Sequence, residues 1–387
     1  MREAVIVSAV RTAIARRGGA LKDWEPHIYG AEVVKEAIRR ARVDPEEIDD
    51  VIFGNALAGG GNVARLTALQ AGLSLEVPGV TIDRQCGSGM NAVALAALAV
   101  QGGAGEIFVA GGTESMTRAP YLLEPPSKPF DRNPPRFVRR LLSPEHIGNP
   151  PMGITAENLA EKYRITREEQ DRYALVSQRR MARAMEKGLF REQIVPLTIP
   201  GKQGEPLLFD TDEHPRPETS LEVLSRLPPA FKEGGTVTAG NSSGVNDGAA
   251  ALVVMSRRMA ERRGLTPLAT VRGFAVAGVD PNLMGIGPVP ATKKLLKREG
   301  LALEDIDLIE LNEAFAAQVL ACARELPLDM EKVNVNGGAI AHGHPIAATG
   351  AILVTKLVYE MNRRNARRGL VTACIGGGQG IAVLLER

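Results

Sequence analysis

Disulfides, membrane spans and strong charge are all missing from this sequence. Its 387 residues include three cysteines, one tryptophan and 4% aromatic side chains, and the formal net charge is +2. Three cysteines cannot all pair and show no C-x-x-C spacing, so neither a disulfide framework nor a cysteine-built metal or redox motif is indicated. A near-neutral balance supplies no field to attract nucleic acid or an anionic membrane surface. No apolar run reaches the ~18 residues that a membrane span needs. The chain passes at once into a short apolar strand at residues 4–9, with no hydrophobic core of a signal peptide. Free thiols suit a reducing compartment, so a cytoplasmic protein is expected.

In bulk the chain is ordinary, 44% apolar and 24% charged. Its length allows two or three domains, since one core seldom grows beyond ~250–300 residues. The detail is less ordinary. Cys86 lies in Asp83-Arg84-Gln85-Cys86-Gly87-Ser88-Gly89-Met90, and Cys374 in Ala373-Cys374-Ile375-Gly376-Gly377-Gly378. His344 stands between them in His342-Gly343-His344-Pro345. Cys322, by contrast, falls in an unremarked helical run at 316–324 and reads as core.

One pattern occurs twice. Residues 36–57 and 294–315 each read as an amphipathic basic helix, an acidic turn ending in Ile-Asp, an apolar strand, then Asn and Ala. Pairing Ile48 with Ile306 sets an offset of 258 residues, and the same offset carries Cys86 onto His344. Residues 106–112 resemble 369–375, and 247–256 resemble 379–386. Four matches in one order indicate duplication of an α/β half with a largely parallel sheet. The expected divisions are 1–117 with 246–265, an insert at 118–245, and 266–387. Within the insert, 118–151 is rich in proline and arginine and reads as an extended covering segment. Residues 152–187 read as helical, with Thr166 as N-cap and Glu169 as its capping-box partner. Residues 196–240 read as loops. Such an insert is a candidate lid or substrate-binding layer.

A thiol becomes nucleophilic as its anion, which an imidazole or a helix N-terminus favours. Cys86 precedes a helix pattern, and Pro345 is suited to the first helical position. Two halves packed about a pseudo-twofold axis would bring these helix starts together, giving a nucleophile and base in a field that favours the thiolate. The glycines after Cys374 leave backbone N–H groups uncovered, as an oxyanion hole requires. Asn312 follows a strand end, where it could donate to a carbonyl or hold a water; an ordinary cap is the competing role.

These residues belong to motifs that closely resemble the thiolase family, the acetyl-CoA acetyltransferases and 3-ketoacyl-CoA thiolases. The resemblance spans the chain: CGSG at 86–89, GGTESMTRAPY at 111–121, MGITAE at 152–157, TAGNSSGVNDGAAA at 238–251, GIGPVPA at 285–291, NEAFA at 312–316, NVNGGAIAHGHP at 334–345 and CIGGGQG at 374–380. It implies a thiolase-like fold of two duplicated α/β halves layered α-β-α-β-α, with an inserted loop domain. It implies that Cys86 carries an acyl thioester, that His344 activates it, and that Cys374 exchanges a proton with the acetyl α-carbon. One oxyanion hole would use His344 and a water held by Asn312; the other would use the amides of Cys86 and Gly376. Coenzyme A would be a substrate, with no permanently bound cofactor and no metal. Ser243 would meet its pantetheine, Phe231, Ala314 and Phe315 would line the path, and Arg216 would lie near the adenine. Met152 and Met284 would shape the acyl pocket. The resemblance further implies a homodimer or homotetramer.

Many relatives carry Asn where this chain has Asp83, and Gly where it has Ala347; some short-chain biosynthetic members carry His where Pro151 stands. With the run at 216–222, these departures lean toward 3-ketoacyl-CoA substrates broader than acetoacetyl-CoA. The rivals are a ketoacyl synthase, which lacks a cysteine like Cys374, and a silent acyl-CoA- or lipid-binding relative, which has no need of both thiols. A dehydrogenase is disfavoured because no strand leads into G-x-G-x-x-G.

Overall fold

Alternation of buried residues along the strands shows how the layers arise. In the strand Asn246–Ser256, Ala249, Ala251, Val253 and Met255 face one core, while Ala250, Leu252 and Val254 face another. In Gln379–Glu386, Ile381, Val383 and Leu385 join that second core, and Ala382 and Leu384 a third. Strands this apolar on both faces need cover on both sides. The computed structural model describes residues 2–130, 132–201 and 205–387.

The first half contains β1 (Ala4–Thr12), α1 (Pro26–Ala41), β2 (Asp50–Gly54), α2 (Val63–Gln70), β3 (Gly79–Ile82), α3 (Ser88–Gly102) and β4 (Ile107–Ser115). Two insert helices follow, α4 (Met152–Lys162) and α5 (Arg167–Glu186). Then come β5 (Asn246–Ser256), β6 (Ala269–Gly278), α6 (Pro288–Glu299), β7 (Leu308–Leu311), α7 (Ala316–Glu325), α8 (Ile346–Arg364), β8 (Arg368–Ile375) and β9 (Gln379–Glu386). Strand order is β7-β8-β9-β6-β1-β5-β4-β2-β3. The two halves run outward from β6 and β1, which share only the pairs Val5↔Thr270 and Ile6↔Ala269. This short pairing is the link between the two halves of one hydrogen-bonded array.

The largely parallel sheet expected from the sequence is corrected here. Among the strands named so far, β2–β3, β2–β4 and β7–β8 are parallel, whereas β4–β5, β5–β1, β1–β6, β8–β9 and β9–β6 are antiparallel. The cause is connection length. Three glycines join β8 to β9, too few for the crossover that a parallel pair requires.

Helices α3 and α8 form the middle layer between the two halves of the array. Alanine and glycine on facing sides let their backbones approach closely. A Cβ on Gly89 would stand 2.8 Å from both Ala347 O and Ala351 N, so only glycine fits there. Helices α1 and α2 cover the first half of the array from outside, and α6 and α7 the second, completing the α-β-α-β-α order. No helix among the described residues is long and apolar enough to cross a membrane.

The insert is more structured than expected. Thr166 accepts from Glu169 N, and Glu169 returns a bond to Thr166 N, as the sequence predicts. Residues 196–240, read as loops, contain the hairpin Leu197–Pro200/Pro206–Phe209 and the short helix Leu221–Ser225. Ile194–Val195 adds a strand beside β1, and residues 118–151 carry a small ribbon of Leu122–Leu123 with Phe137–Val138.

A buried ion pair fastens the insert to β1. Arg11 Nη1 and Nη2 donate to Asp212 Oδ1 and Oδ2 at 2.7 and 3.0 Å, with both side chains 1% exposed. Asp212 also accepts from Ile14 N at 2.8 Å. Asp212→Ala would strand a buried guanidinium, so we expect a loss of ~3–5 kcal/mol in unfolding free energy, read by urea denaturation. A midpoint unchanged from the parent would refute this.

Candidate active site

The turn that carries Cys86 is built by the switch from a 3₁₀ turn, Gln85–Gly87, into α3 at Ser88. His344 is reached through Gly343, whose φ of +99° favours glycine. Pro345 caps α8 and Ile346 is its first residue, one place later than the sequence predicts. The two helix starts meet as the repeat requires. His344 Nε2 lies 3.3 Å from Cys86 Sγ, across 258 residues of chain.

The tautomer follows from the far side of the ring. His344 Nδ1 is 2.6 Å from Thr349 Oγ1, and that hydroxyl donates its hydrogen to Pro345 O at 2.9 Å. Only lone pairs remain for the imidazole, so Nδ1 carries the proton and Nε2 presents its lone pair to the thiol. Asn246 Oδ1 accepts from the His344 backbone N–H at 2.9 Å, while Asn246 Nδ2 donates to Ala15 O at 3.0 Å. Beneath the start of α8, buried Glu114 accepts from the amides of Ala56, Leu57, Ala58 and Ala347. Burial pushes its carboxyl up to about 7.

The expected thiolate-favouring field is corrected by the electrostatics. Burial pushes the Cys86 thiol up to about 11, against smaller downward effects from the Gly376 amide and its own N–H. Burial also takes His344 down to about 4. The imidazole is neutral at rest and gives the sulfur no cation, so desolvation dominates. These shifts favour a thiol beside a neutral imidazole, with the Cys86 side chain itself only partly buried.

Cys374, near the end of β8, is buried with Ala156, Val237, Met284, Ala314 and Phe315, and Met152 packs against this group. Burial raises its pKa well above the ordinary thiol value, and Cys86 adds to the rise. Positive φ at Gly377 and Gly378 turns the chain back into β9. The preceding Gly376 amide lies on the Cys86 side of this turn and has a small lowering effect on that thiol. The covering segment closes over this turn: a Cβ on Gly376 would meet Leu142 Cδ1 at 3.2 Å and Met152 Sδ at 3.6 Å.

Asn312 is held by its backbone N–H to Thr372 O at 2.9 Å, yet its buried Oδ1 and Nδ2 have no hydrogen-bond partner among the described residues. A buried amide in that condition is costly unless a bound group completes it. Its neighbour Glu313 is fully engaged, accepting from Tyr173 Oη at 2.8 Å, Ser177 Oγ at 2.7 Å and Ile340 N at 3.1 Å.

A groove of ≈ 560 Å³ on the insert side is lined by Arg216, Phe231, Ser243, His214, Val223 and Leu227, among others. That volume lies within the usual range for small-molecule sites. The Phe231 ring meets Phe315 edge-on at 5.9 Å, which joins the groove to the Cys374 cluster. Ser243 N donates to Ala314 O at 2.9 Å on the same path. The structure thus gathers Met152, Met284, Ala314 and Phe315 around Cys374. Arg216, Phe231 and Ser243 lie along the groove.

Two other expectations concern residues outside the site. Cys322 Sγ donates to Gly285 O at 3.3 Å in the core, and burial pushes its thiol up to about 12. His342 ends a short helical turn and donates Nδ1–H to Gly343 O at 2.8 Å. Sequence reasoning missed Thr349, Asn246 and Glu114. A hydroxyl in the buried first turn after Pro345 was the signal for Thr349. Asn246 and Glu114 lie in quoted motifs whose polar residues had no assigned partner.

Comparison with known proteins gives the family and the fold. The family model "Thiolase, N-terminal domain" matches residues 4–258, and "Thiolase, C-terminal domain" matches 265–387. An acetyl-CoA acetyltransferase of Escherichia coli (strain K12) is 50% identical over 393 residues, covering 100% of both chains. A 3-oxoadipyl-CoA/3-oxo-5,6-dehydrosuberyl-CoA thiolase of the same organism is 49% identical over 401 residues, again covering 100% of both. The crystal structure of the Bacillus anthracis acetyl-CoA acetyltransferase superposes with a TM-score of 0.95 at 47% identity, covering 100% of this chain and 99% of that one.

Proposed function

The chain belongs to the thiolase family, and from that premise we propose that its acyl transfer runs through a thioester on Cys86. It is an acyltransferase acting as a thiolase, which joins or separates acyl-CoA and acetyl-CoA units. The observation that carries the assignment of residues is the 3.3 Å approach of His344 Nε2 to Cys86 Sγ.

In the cleavage direction, Cys86 Sγ attacks C3 of a 3-ketoacyl-CoA and passes its proton to His344 Nε2. The C2–C3 bond breaks and its electron pair goes to C2 of the departing acetyl-CoA. Cys374 donates its proton to that carbon. A free coenzyme A thiol then gives its proton to Cys374 and attacks the thioester, and Cys86 recovers its proton from His344. Both cysteines rest as thiols, and that is the protonation state from which cleavage starts. Condensation of two acetyl-CoA molecules is the same sequence reversed.

Asn312 suits the task of holding water beside His344 against a thioester oxygen, because its amide has no other partner among the described residues. The Cys86 and Gly376 amides suit the second oxyanion. Coenzyme A occupies the groove along Arg216, Phe231 and Ser243, with Ala314 and Phe315 at its inner end. Met152 and Met284 border the acyl group. The insert 118–245 is thus the coenzyme A layer on two catalytic halves.

The active form is a homodimer or homotetramer. One sheet edge, β3, is open, with Val80 41% exposed and Leu75 79% exposed nearby. The opposite edge, β7, is covered by a bridge from Ile309 to Val333. An open apolar edge is a natural place for a second copy. The exposed Leu123, Phe130 and Phe137 offer a further contact. Three free thiols suit the cytoplasm. The departures at Asp83, Pro151 and Ala347 support degradative work on 3-ketoacyl-CoA substrates, including β-oxidation.

Incubation with acetyl-CoA followed by peptide mass mapping should place one acetyl group on Cys86. A label confined to Cys322 or Cys374 would overturn the scheme. Thiolysis of 3-ketoacyl-CoA substrates of graded length, with free coenzyme A, then fixes the acyl preference.

A further inference from the structure

Gln85, the residue before Cys86, has φ of +43°, a left-handed conformation that side chains other than asparagine and aspartate rarely adopt. Its neighbours show what holds it there. Asp83 Oδ1 accepts from the Gln85 backbone N–H at 2.8 Å, and its two carboxylate oxygens accept from Gln85 Nε2 at 2.9 and 3.1 Å. Backbone and side-chain donors of one residue converge on one carboxylate. From the other side, Ser88 Oγ accepts from Arg84 N at 2.8 Å and donates to Gln85 O at 2.7 Å. Gln85 also borders the opposite wall of the site, since a Cβ on Gly376 would lie 3.8 Å from Gln85 Cγ.

We propose that Asp83 is a positioning residue for the nucleophile: its carboxylate clamps Gln85 in the left-handed conformation that sets the Cys86 sulfur against His344 Nε2. Asp83 touches none of the reacting atoms and acts through the Gln85 backbone. Relaxation of Gln85 toward negative φ would rotate the following peptide and swing the sulfur off its base. The inference rests on the reading of Cys86 as the acylated thiol.

The test is a cycle of variants read by rapid-quench acetylation from acetyl-CoA, with the label located by mass mapping. Asparagine keeps the oxygen that accepts both Gln85 donors, alanine removes it, and glycine makes a positive φ free of cost. Asp83→Asn should acetylate Cys86 within about threefold of the parent, the scale of a harmless exposed substitution. Asp83→Ala should slow acetylation at saturating acetyl-CoA by ~10–100-fold, with the half-saturating concentration little changed, as misplacement of a reacting group predicts. In a Gln85→Gly background the same Asp83→Ala change should cost less than about threefold, because no strained φ remains to be held. A general loss of folding would not be repaired by a glycine two residues away. Parent-like acetylation by Asp83→Ala, or an equal loss in both backgrounds, overturns the proposal while leaving the nucleophile in place. A label on a residue other than Cys86 overturns the proposal and the reading beneath it together.

Discussion

Cys374→Ser should still take an acetyl group onto Cys86 from acetyl-CoA, yet lose exchange of acetyl protons with deuterated solvent. Acylation needs only the nucleophile, its base and the oxyanion donors, and none of these is Cys374. Making or breaking the carbon–carbon bond also needs a group that trades a proton with the acetyl α-carbon. Serine preserves the shape of the side chain, but its hydroxyl is a far weaker acid than a thiol, even one raised by burial. A proton shuttle so mismatched should lower exchange and turnover by ~10²–10⁴-fold, the range that general acid–base groups contribute. Mass mapping reads the first step, and NMR loss of the acetyl methyl signal in D₂O reads the second. If the variant exchanges those protons and turns over acetoacetyl-CoA like the parent, Cys374 is a packing residue.

His344→Ala should slow acetylation of Cys86 by ~10²–10⁴-fold, and His342→Ala should be milder. With Cys86 pushed up to about 11, almost none of it is thiolate at neutral pH, so attack depends on a base within reach. Only the neutral imidazole can take the proton. Burial holds His344 down to about 4, well below the ordinary value, so it stays competent as pH falls through 6.5 and fails near 4. The acid limb of acetylation in the parent should therefore lie near pH 4. Stability moves the other way over the same window. Between pH 6.5 and about 4 the unfolded chain binds protons that folded His344 and His214 refuse, so acid weakens the fold. Circular dichroism separates the two effects. A limb near 6.5 in folded protein, or a His342 variant worse than the His344 variant, would overturn the assignment.

The 258-residue offset made the Cys86–His344 pair legible before any coordinates, because duplication is a property of the chain itself. The same holds for Cys374 at a strand end before three glycines, and for the Thr166–Glu169 box, whose partners are three residues apart. Other features depended on partners that no local pattern names. Thr349 orients the imidazole only because α8 starts where it does. Asp83 matters only because Gln85 turns left-handed. Strand direction in the sheets was misread because burial on both faces looks alike in parallel and antiparallel strands.

Residue order alone pointed to the two halves through their repeat, to the family through its motifs, and to Cys86, His344 and Cys374 as candidate site residues. The tertiary structure decided their protonation. A helix start and a nearby imidazole point toward a thiolate when counted along the sequence. The free energy of an ion, however, depends on everything that displaces water around it, and at Cys86 those atoms include residues distant in sequence such as His344. Desolvation there acts against the local donors and favours the thiol form of Cys86 beside a neutral imidazole.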